Sequence, residues 1–434
     1  MDKNKQLQLP ILSTLQDYLS KEPIRMHVPF HSGVKNNSIL PEGLYNLDIS
    51  EVSGYDVSGE DNPIYQSEKI TASFFDVSHT FYLTGGASSG LLAAMIALNK
   101  YGKKVLLARN VHKSVINGVI LSGLEPVWID VEFLEEWNVF SRVDPNKVQE
   151  AIVKNPDVVG CVIVSPTYEG VLSDVKAIAE ICHRKNIPLI VDEAHGAHLY
   201  FLNSDHSLQS SLCCDADLAI QSWHKSLGSL TQTGVLHLIN NHFFTYNDIQ
   251  RSLDLVSSTS PSFLLLLSLE LTRNDFVETN GSQIKNLFDQ ANLFRSELEK
   301  IEGVKLFNSD DSFKIYLKPY NQSGVDFAYN MYKNYSIEVE SANEIGLLML
   351  VGKNFTSKIQ EKIRTAIDKI CCAEHEPLLL REIMKPSLNE FEANPRESFI
   401  NGFKNKEKGN YECDVYAPCP PGYVVSAPGT ARTV

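Results

Sequence analysis

Long apolar runs are missing from this sequence. The most apolar stretch, Phe263 to Leu269, falls far short of the roughly 20 residues a membrane-crossing helix needs. Met1 to Gln6 are polar and charged, with no apolar core for a signal peptide. A basic surplus is also missing. Lys and Arg number 39 against 53 Asp and Glu, a net charge of −14, which argues against a nucleic-acid partner. The eight cysteines contain no C-x-x-C. Cys213-Cys214 and Cys371-Cys372 are adjacent pairs, and Cys413 and Cys419 have no companion His or Cys cluster, so no metal site is expected. No H-E-x-x-H zinc motif occurs either. Reduced cysteines and no leader or membrane segment make the cytoplasm the expected compartment.

What is present suits a large globular protein. The 434 residues are 43% hydrophobic and 21% charged, enough for a sizeable core and for two or three domains. The acidic balance would favour a cationic substrate only weakly, because solubility alone explains it.

Three regions differ in texture. Residues 1–65 read as an N-terminal arm, with one helical pattern at Leu12, Leu15, Tyr18 and Leu19 that ends before Pro23. Such an arm is expected to pack on something, often a partner subunit. Residues 66–275 read as a large domain in which strands and helices alternate. Its strands are expected at Thr80–Leu83, Lys104–Ala108, Pro126–Ile129, Val158–Ser165, Pro188–Asp192, Asp217–Ser222 and Val235–Ile239. Strands alternating with helices imply an α/β fold with a mostly parallel sheet covered on both faces. Residues 276–434 read as a smaller α+β domain, with helices over Ser282–Ile301 and Phe355–Ile370 and a Pro- and Gly-rich end.

Four segments carry candidate chemistry. Thr84-Gly85-Gly86-Ala87-Ser88-Ser89-Gly90 follows a strand and opens a helix. Glycines allow close backbone approach, and a helix N-terminus offers free N–H groups to a phosphate. A tight turn with a capped helix explains the same residues equally well. Arg109-Asn110-Val111-His112-Lys113-Ser114 places a histidine after a strand. An imidazole there stacks on a flat heterocycle or simply caps a helix. Val191-Asp192-Glu193-Ala194-His195-Gly196 ends a buried strand, where open parallel sheets bind ligands. A carboxylate at that position pairs with a protonated pyridine nitrogen or, more blandly, with a structural cation. Gln221-Ser222-Trp223-His224-Lys225-Ser226 places a lysine just past another strand. Most lysines are solvated surface groups. One in a pocket forms a Schiff base through its neutral amine.

Each segment is weak alone. Their order along one sheet edge is that of the large domain of fold-type I pyridoxal 5'-phosphate (PLP) enzymes. The chain further resembles the Orn/Lys/Arg decarboxylase family, in its short form without an N-terminal receiver-like domain. The resemblance rests on Arg109-Asn-Val-His-Lys-Ser-Val-Ile-Asn-Gly, Ser165-Pro-Thr-Tyr-Glu-Gly, Val191-Asp-Glu-Ala-His-Gly-Ala-His, Gln221-Ser-Trp-His-Lys-Ser-Leu and Ser258-Thr-Ser-Pro-Ser. Asn394-Pro-Arg-Glu-Ser-Phe and Pro420-Pro-Gly extend it towards the C-terminus.

The resemblance implies that Lys225 carries PLP as a Schiff base, that His112 stacks on its ring and that Asp192 pairs with its ring nitrogen. Ala194 would pack on the opposite face, with His195 beside it. Ala87, Ser88 and Ser89, with Ser222 and His224, would hold the phosphate and the ring's surroundings. Ser258 would reach the phosphate of a neighbouring subunit, in a homodimer or larger homo-oligomer with shared sites. The implied reaction is decarboxylation of arginine, lysine or ornithine, with Lys225 or a nearby His returning the proton. Three residues depart from the family pattern: Phe30 replaces a glycine, Ser32 a lysine, and Thr430 a glutamate. The acidic segment Asp48–Asp56 is shorter than usual. These regions border the substrate entrance in the family, so substrate choice stays open. A transaminase or oxidase on the same scaffold is the competing enzyme class; a transaminase would clamp the substrate carboxylate with an arginine, Arg251 and Arg396 being candidates by residue type. A non-catalytic PLP-fold protein has no need of both Asp192 and Lys225.

Overall fold

The computed structural model describes the chain except residues 1–2, 36–38, 51, 53–58, 204–207, 374–388, 404–410, 419–421 and 432–434. Of the residues singled out above, Glu51, Asp56, Cys419, Pro420 and Pro421 lie outside the described set.

A seven-stranded sheet forms the centre of the molecule. Its strands are β1 (His79–Leu83), β2 (Lys104–Ala108), β3 (Glu125–Ile129), β4 (Val158–Val164), β5 (Leu189–Asp192), β6 (Leu218–Gln221) and β7 (Gly234–Leu238). They are ordered β1-β7-β6-β5-β4-β2-β3. β7 runs antiparallel to both its neighbours, and every other pairing is parallel. The inner strands read as unbroken apolar runs because both faces of the sheet are buried. Alternation then sorts side chains between two cores. Phe81, Leu83, Leu218, Ile220, Leu236 and Leu238 face one, while Tyr82, Ala219 and Val235 face the other.

Four helices matter for the site and its supports: α1 (Pro10–Ser20), α2 (Gly86–Leu98), α3 (Lys113–Ser122) and α4 (Phe263–Thr279). α2 and α3 pack closely at Gly118, where a Cβ would stand 2.6 Å from Met95 Cγ. A glycine is required there, because a side chain would push the two helices apart.

The smaller sheet is antiparallel, ordered β8-β9-β11-β10, with β8 (Val304–Leu306), β9 (Lys314–Pro319), β10 (Ser341–Ala342) and β11 (Leu347–Leu350). It docks on the loop after β4: the Asp311 N–H donates to Gly170 O at 3.0 Å, and Leu172 N–H to Asp310 Oδ2 at 2.8 Å.

Both expected boundaries fall inside helices. The boundary at 65/66 falls inside a helix, Pro63–Phe74, whose start is Asn62 accepting from Ile64 and Tyr65 N–H with Pro63 in the first turn. The boundary at 275/276 falls inside α4. The arm's helix packs on its own chain rather than only on a partner. Ile11 and Leu15 are fully buried, Glu270 of α4 accepts Ile11 and Leu12 N–H, and Arg273 donates to Gln6 O and Gln8 O. The C-terminal end, from Asn389 to Ala431, leaves the small sheet. It lays Val424 and Ala427 into the large domain's core, and Arg109 donates to Val424 O at 2.7 Å. No helix among the described residues is long and apolar enough to cross a membrane.

Candidate active site

Parallel strands bring their C-terminal ends to one edge. The residues that leave β2, β4, β5 and β6 therefore meet above the sheet, facing the first turn of α2. A cavity of about 220 Å³ opens there, lined on its polar side by Ser88, Asn110, His112, Asp192, His195, Ser222, His224 and Lys225. Gly86, Ala87 and Ala194 line it as well. Ser89 and Ser258 do not. The Ser89 hydroxyl turns inward and donates to Gly86 O at 2.9 Å. Ser258 lies on an exposed loop after the helix Tyr246–Asp254, where its hydroxyl accepts from Ser260 N–H at 3.2 Å.

Asp192 is buried at 3% exposure and accepts one hydrogen bond, from Ala194 N–H at 3.1 Å. Burial pushes its carboxyl above the usual carboxylate range, and Lys225 pulls it back. Such a group is poised to bind a cation. His112 caps α3, its Nδ1 accepting from Ser114 N–H at 3.2 Å. Burial first, then Lys225 and Lys113, bring its pKa down to about 4, so the ring is neutral at physiological pH. The capping and stacking readings of His112 are therefore compatible. His224 faces the cavity with its Nδ1 held 2.7 Å from Thr233 O.

Lys225 Nζ lies 2.9 Å from His195 Nε2. His195 Nδ1 in turn lies 3.0 Å from Lys314 Nζ. Lys314 opens β9 in the small sheet and is only 4% exposed. Sequence reading passed it over; the one signal was a lysine inside the apolar run Phe313 to Leu317. Tyr168 meets His195 edge-on at 5.0 Å between ring centroids and donates to Glu340 at 2.8 Å. Tyr423 arrives from the C-terminal tail, pairing its backbone with His112 and donating its hydroxyl to Glu169 at 2.8 Å.

Residues 86–90 also have the G-x-S-x-G spacing of a hydrolase nucleophile elbow. That elbow needs an imidazole base on the serine. Here Ser88 Oγ accepts from the Ser114 hydroxyl at 2.9 Å instead.

What the donor set leaves without a partner fits PLP. Asn110 is fully buried, lines the cavity, and has neither its amide nitrogen nor its oxygen hydrogen-bonded among the described residues. Buried amides without partners are rare. Gly234 cannot carry a side chain, since a Cβ would meet Gln221 O at 2.6 Å and Ala87 N at 3.1 Å. The cradle at the start of α2 is thus backbone-lined, as an anion needs. An amine, a buried carboxylate, a neutral imidazole and this cradle together fit the group.

Glu193 shows the contrasting, structural kind of carboxylate. It is 1% exposed and accepts from Gln221 Nε2 (2.6 Å), Ser211 N–H (2.7 Å) and Ser210 Oγ (3.1 Å). Burial pushes its carboxyl up to about 7. A raised carboxyl contributes stability below the unfolded pKa, and that contribution is lost as pH rises through the folded value. The wild type should therefore lose up to about 3 kcal/mol relative to Glu193→Gln between pH 4.5 and 7.5. Urea unfolding of both proteins across that range checks it; a constant difference would mean that Glu193 is ionised throughout.

Phe30 is 99% exposed and Ser32 lies on the same surface segment, so neither lines the cavity of its own chain. Thr430 is buried in a turn of the tail, its hydroxyl donating to Ala427 O at 2.8 Å. Arg251 lines a separate groove with Lys100 and Asp248, and Arg396 donates to Leu121 O. No arginine is among the described residues lining the cavity.

Comparison with known proteins agrees with this geometry. Residues 9–353 match the family model described as Orn/Lys/Arg decarboxylase, major domain. An arginine decarboxylase of Bacillus subtilis is 26% identical to the chain, covering 99% of it and 92% of the relative. One from Halalkalibacterium halodurans is 25% identical, covering 99% and 92%. Among solved structures, the constitutive lysine decarboxylase of E. coli aligns with a TM-score of 0.80 at 15% identity, over 98% of this chain and 76% of that one. Lysine decarboxylase A from Pseudomonas aeruginosa aligns at 0.82 and 16%, over 99% and 75%. At those identities the structural likeness establishes the fold, that of the fold-type I PLP enzymes.

Proposed function

Because the chain belongs to the Orn/Lys/Arg decarboxylase family, we propose that it decarboxylates a basic amino acid, arginine, lysine or ornithine, to the amine and CO2, using PLP held on Lys225. The observation that carries the site assignment is the meeting of Lys225 and the buried Asp192 in one cavity, beside the open first turn of α2.

The residues divide the work. Lys225 supplies the anchoring amine. Gly86, Ala87 and Ser88 N–H groups, with Ser222 and His224, would hold the phosphate. Asp192 would pair with the ring nitrogen, His112 and Ala194 would flank the ring, and Asn110 has both its polar atoms free to bind it. When bound, PLP supplies an electron sink for the pair released from the Cα–carboxylate bond. Asp192 holds the charge that makes such a sink effective. Lys225 and His195, in hydrogen-bond contact, are the groups able to return a proton to Cα. The lack of an arginine among the described lining residues supports decarboxylation over transamination, because a clamped carboxylate is stabilised in the ground state.

The proposed assembly is a homodimer with shared sites. Ile24, Met26 and Phe30 stand at least nine-tenths exposed on one segment, and Ser258 lies outside its own chain's cavity. A second copy would cover the first and let the second reach a phosphate. The proposed compartment is the cytoplasm, where cysteines stay reduced; the seven described cysteines are unbridged.

Purified, PLP-loaded protein is expected to release CO2 and the matching amine from one or more of arginine, lysine and ornithine in separate reactions. Release from one alone also sets the pocket length. Bound PLP with no CO2 from any of the three would move the chemistry to another amino acid or reaction.

A further inference from the structure

Lys225, His195 and Lys314 form a chain of three nitrogen-bearing side chains linked at 2.9 and 3.0 Å. Elementary hydrogen-bond counting restricts its protonation. A neutral imidazole has one N–H donor and one acceptor nitrogen, and an ammonium has donors only. Two ammonium groups cannot both donate to one neutral imidazole through opposite nitrogens. One of the two lysines must therefore accept, and only a neutral amine accepts.

The surroundings decide which. Carboxylates surround the Lys314 ammonium: Asp311, Glu340 and Glu169 all act on its charge, and a backbone bond from Lys314 N–H to the Asp311 carbonyl at 3.0 Å ties those two residues together. Asp311 is fully buried, and although burial pushes its carboxyl up, His198 and Lys314 hold it below the usual range. The Asp192 carboxylate acts on Lys225 from across the cavity, where it is needed for another partner.

We propose that Lys314 is a positioning residue: as the ammonium of this chain at neutral pH it fixes His195 in the tautomer with its proton on Nε2, which leaves Lys225 as the neutral amine. The inference rests on the reading of Lys225 as the cofactor-anchoring amine. It assigns a task to a small-domain residue that never touches the reacting atoms. Burial brings Lys314 down to about 8, Asp311 acting against this, so it is still charged at neutral pH. Burial, then Lys314 and Lys225, then His112 and His198 push His195 well below its ordinary value, so its ring is neutral. Tyr168 covers the ring edge-on.

Two measurements on the full-length chain test it. In the first, PLP and borohydride are added to the cofactor-free protein over a range of pH, and peptide mass spectrometry reads the fraction of Lys225 trapped as the reduced imine. Lys314→Met should cut trapping at pH 7 about ten-fold and move the midpoint up by about one unit, because a neighbouring positive charge is lost. Lys314→Arg should recover most of it. Trapping by Lys314→Met on the wild-type profile would overturn the inference. Failure of the wild type to trap at any pH would instead overturn the cofactor reading. In the second, nitrogen-15 spectra of histidine-labelled wild type, with His195 assigned by its loss in His195→Gln, should show the proton on Nε2. A proton on Nδ1 sinks the proposal whatever the stability of the lysine variants.

Discussion

Lys225→Ala lowers turnover by about 10⁴-fold, since both the covalent anchor and a proton-transfer group go with it. The same variant forms no borohydride-trappable imine. Its fold should be unaffected, because Lys225 projects into the cavity and is exposed there; a surface-like truncation changes stability by about 0.5 kcal/mol or less. The His195 Nε2 loses a partner 2.9 Å away and gains cavity water. CO2 release, mass spectrometry and thermal melting on the same preparation separate these effects. Turnover at the wild-type rate would remove Lys225 from the mechanism. Lost turnover with a collapsed melting curve would say that its role is structural.

Asp192→Asn is expected to cost about 10²–10³-fold in kcat, the scale on which one preorganised electrostatic group acts. Its effect on stability should have the opposite sign. The cofactor-free chain buries the Asp192 carboxyl with a single backbone donor, and burial raises its pKa. A raised carboxyl contributes stability at low pH that is lost as pH rises through the folded value, so at neutral pH the ionised group is a liability. Asparagine keeps an oxygen for the Ala194 N–H and carries no charge. Asp192→Asn without cofactor should therefore melt at or above the wild-type temperature at pH 7 while its activity falls. That trade of stability for activity marks a functional carboxylate. A variant that melts lower and reacts at the wild-type rate would make Asp192 a structural residue.

All seven strands of the large sheet were legible in the chain, within about a residue at most ends, because each is a short apolar run closed by turn residues. The alternation with helices pointed to the mostly parallel arrangement. Other elements escaped. The helix Pro63–Phe74 starts at an Asn-Pro pair that was read as the end of an arm. α4 holds a charged Glu270 and Arg273 in its buried face, which blurs its pattern; their partners are Ile11 and Leu12 N–H on α1 and the Gln6 and Gln8 carbonyls before it. Among the described residues the tail from Asn389 has one helix, Pro395–Gly402, and it is placed by contacts with the large domain's core and, through Tyr423, with the cluster against the small sheet.

The site divides in the same way. Ser88, His112, Asp192, His195, Ser222 and Lys225 sit within a few residues of strand ends. Parallel pairing carries them to one edge whatever else the chain does, so their meeting follows from the order of motifs in the sequence. Lys314, Tyr168, Glu340 and Tyr423 are brought to the site by contacts across many residues; Tyr168 stood inside the quoted Ser165-Pro-Thr-Tyr-Glu-Gly, but no local pattern shows that it meets His195. Asn110 stood inside a quoted motif, yet only the burial of an amide with no partner shows that it awaits a ligand. The sequence by itself determined the sheet and the edge where the motif residues meet, because these depend on short-range periodicity and on which residues end strands; the reaction class came from the resemblance of those motifs to the Orn/Lys/Arg decarboxylase family. The tertiary structure decided which subset of those residues faces the cavity and what stands behind them. Side-chain burial and the protonation state of a lysine–histidine–lysine chain depend on neighbours that only packing supplies.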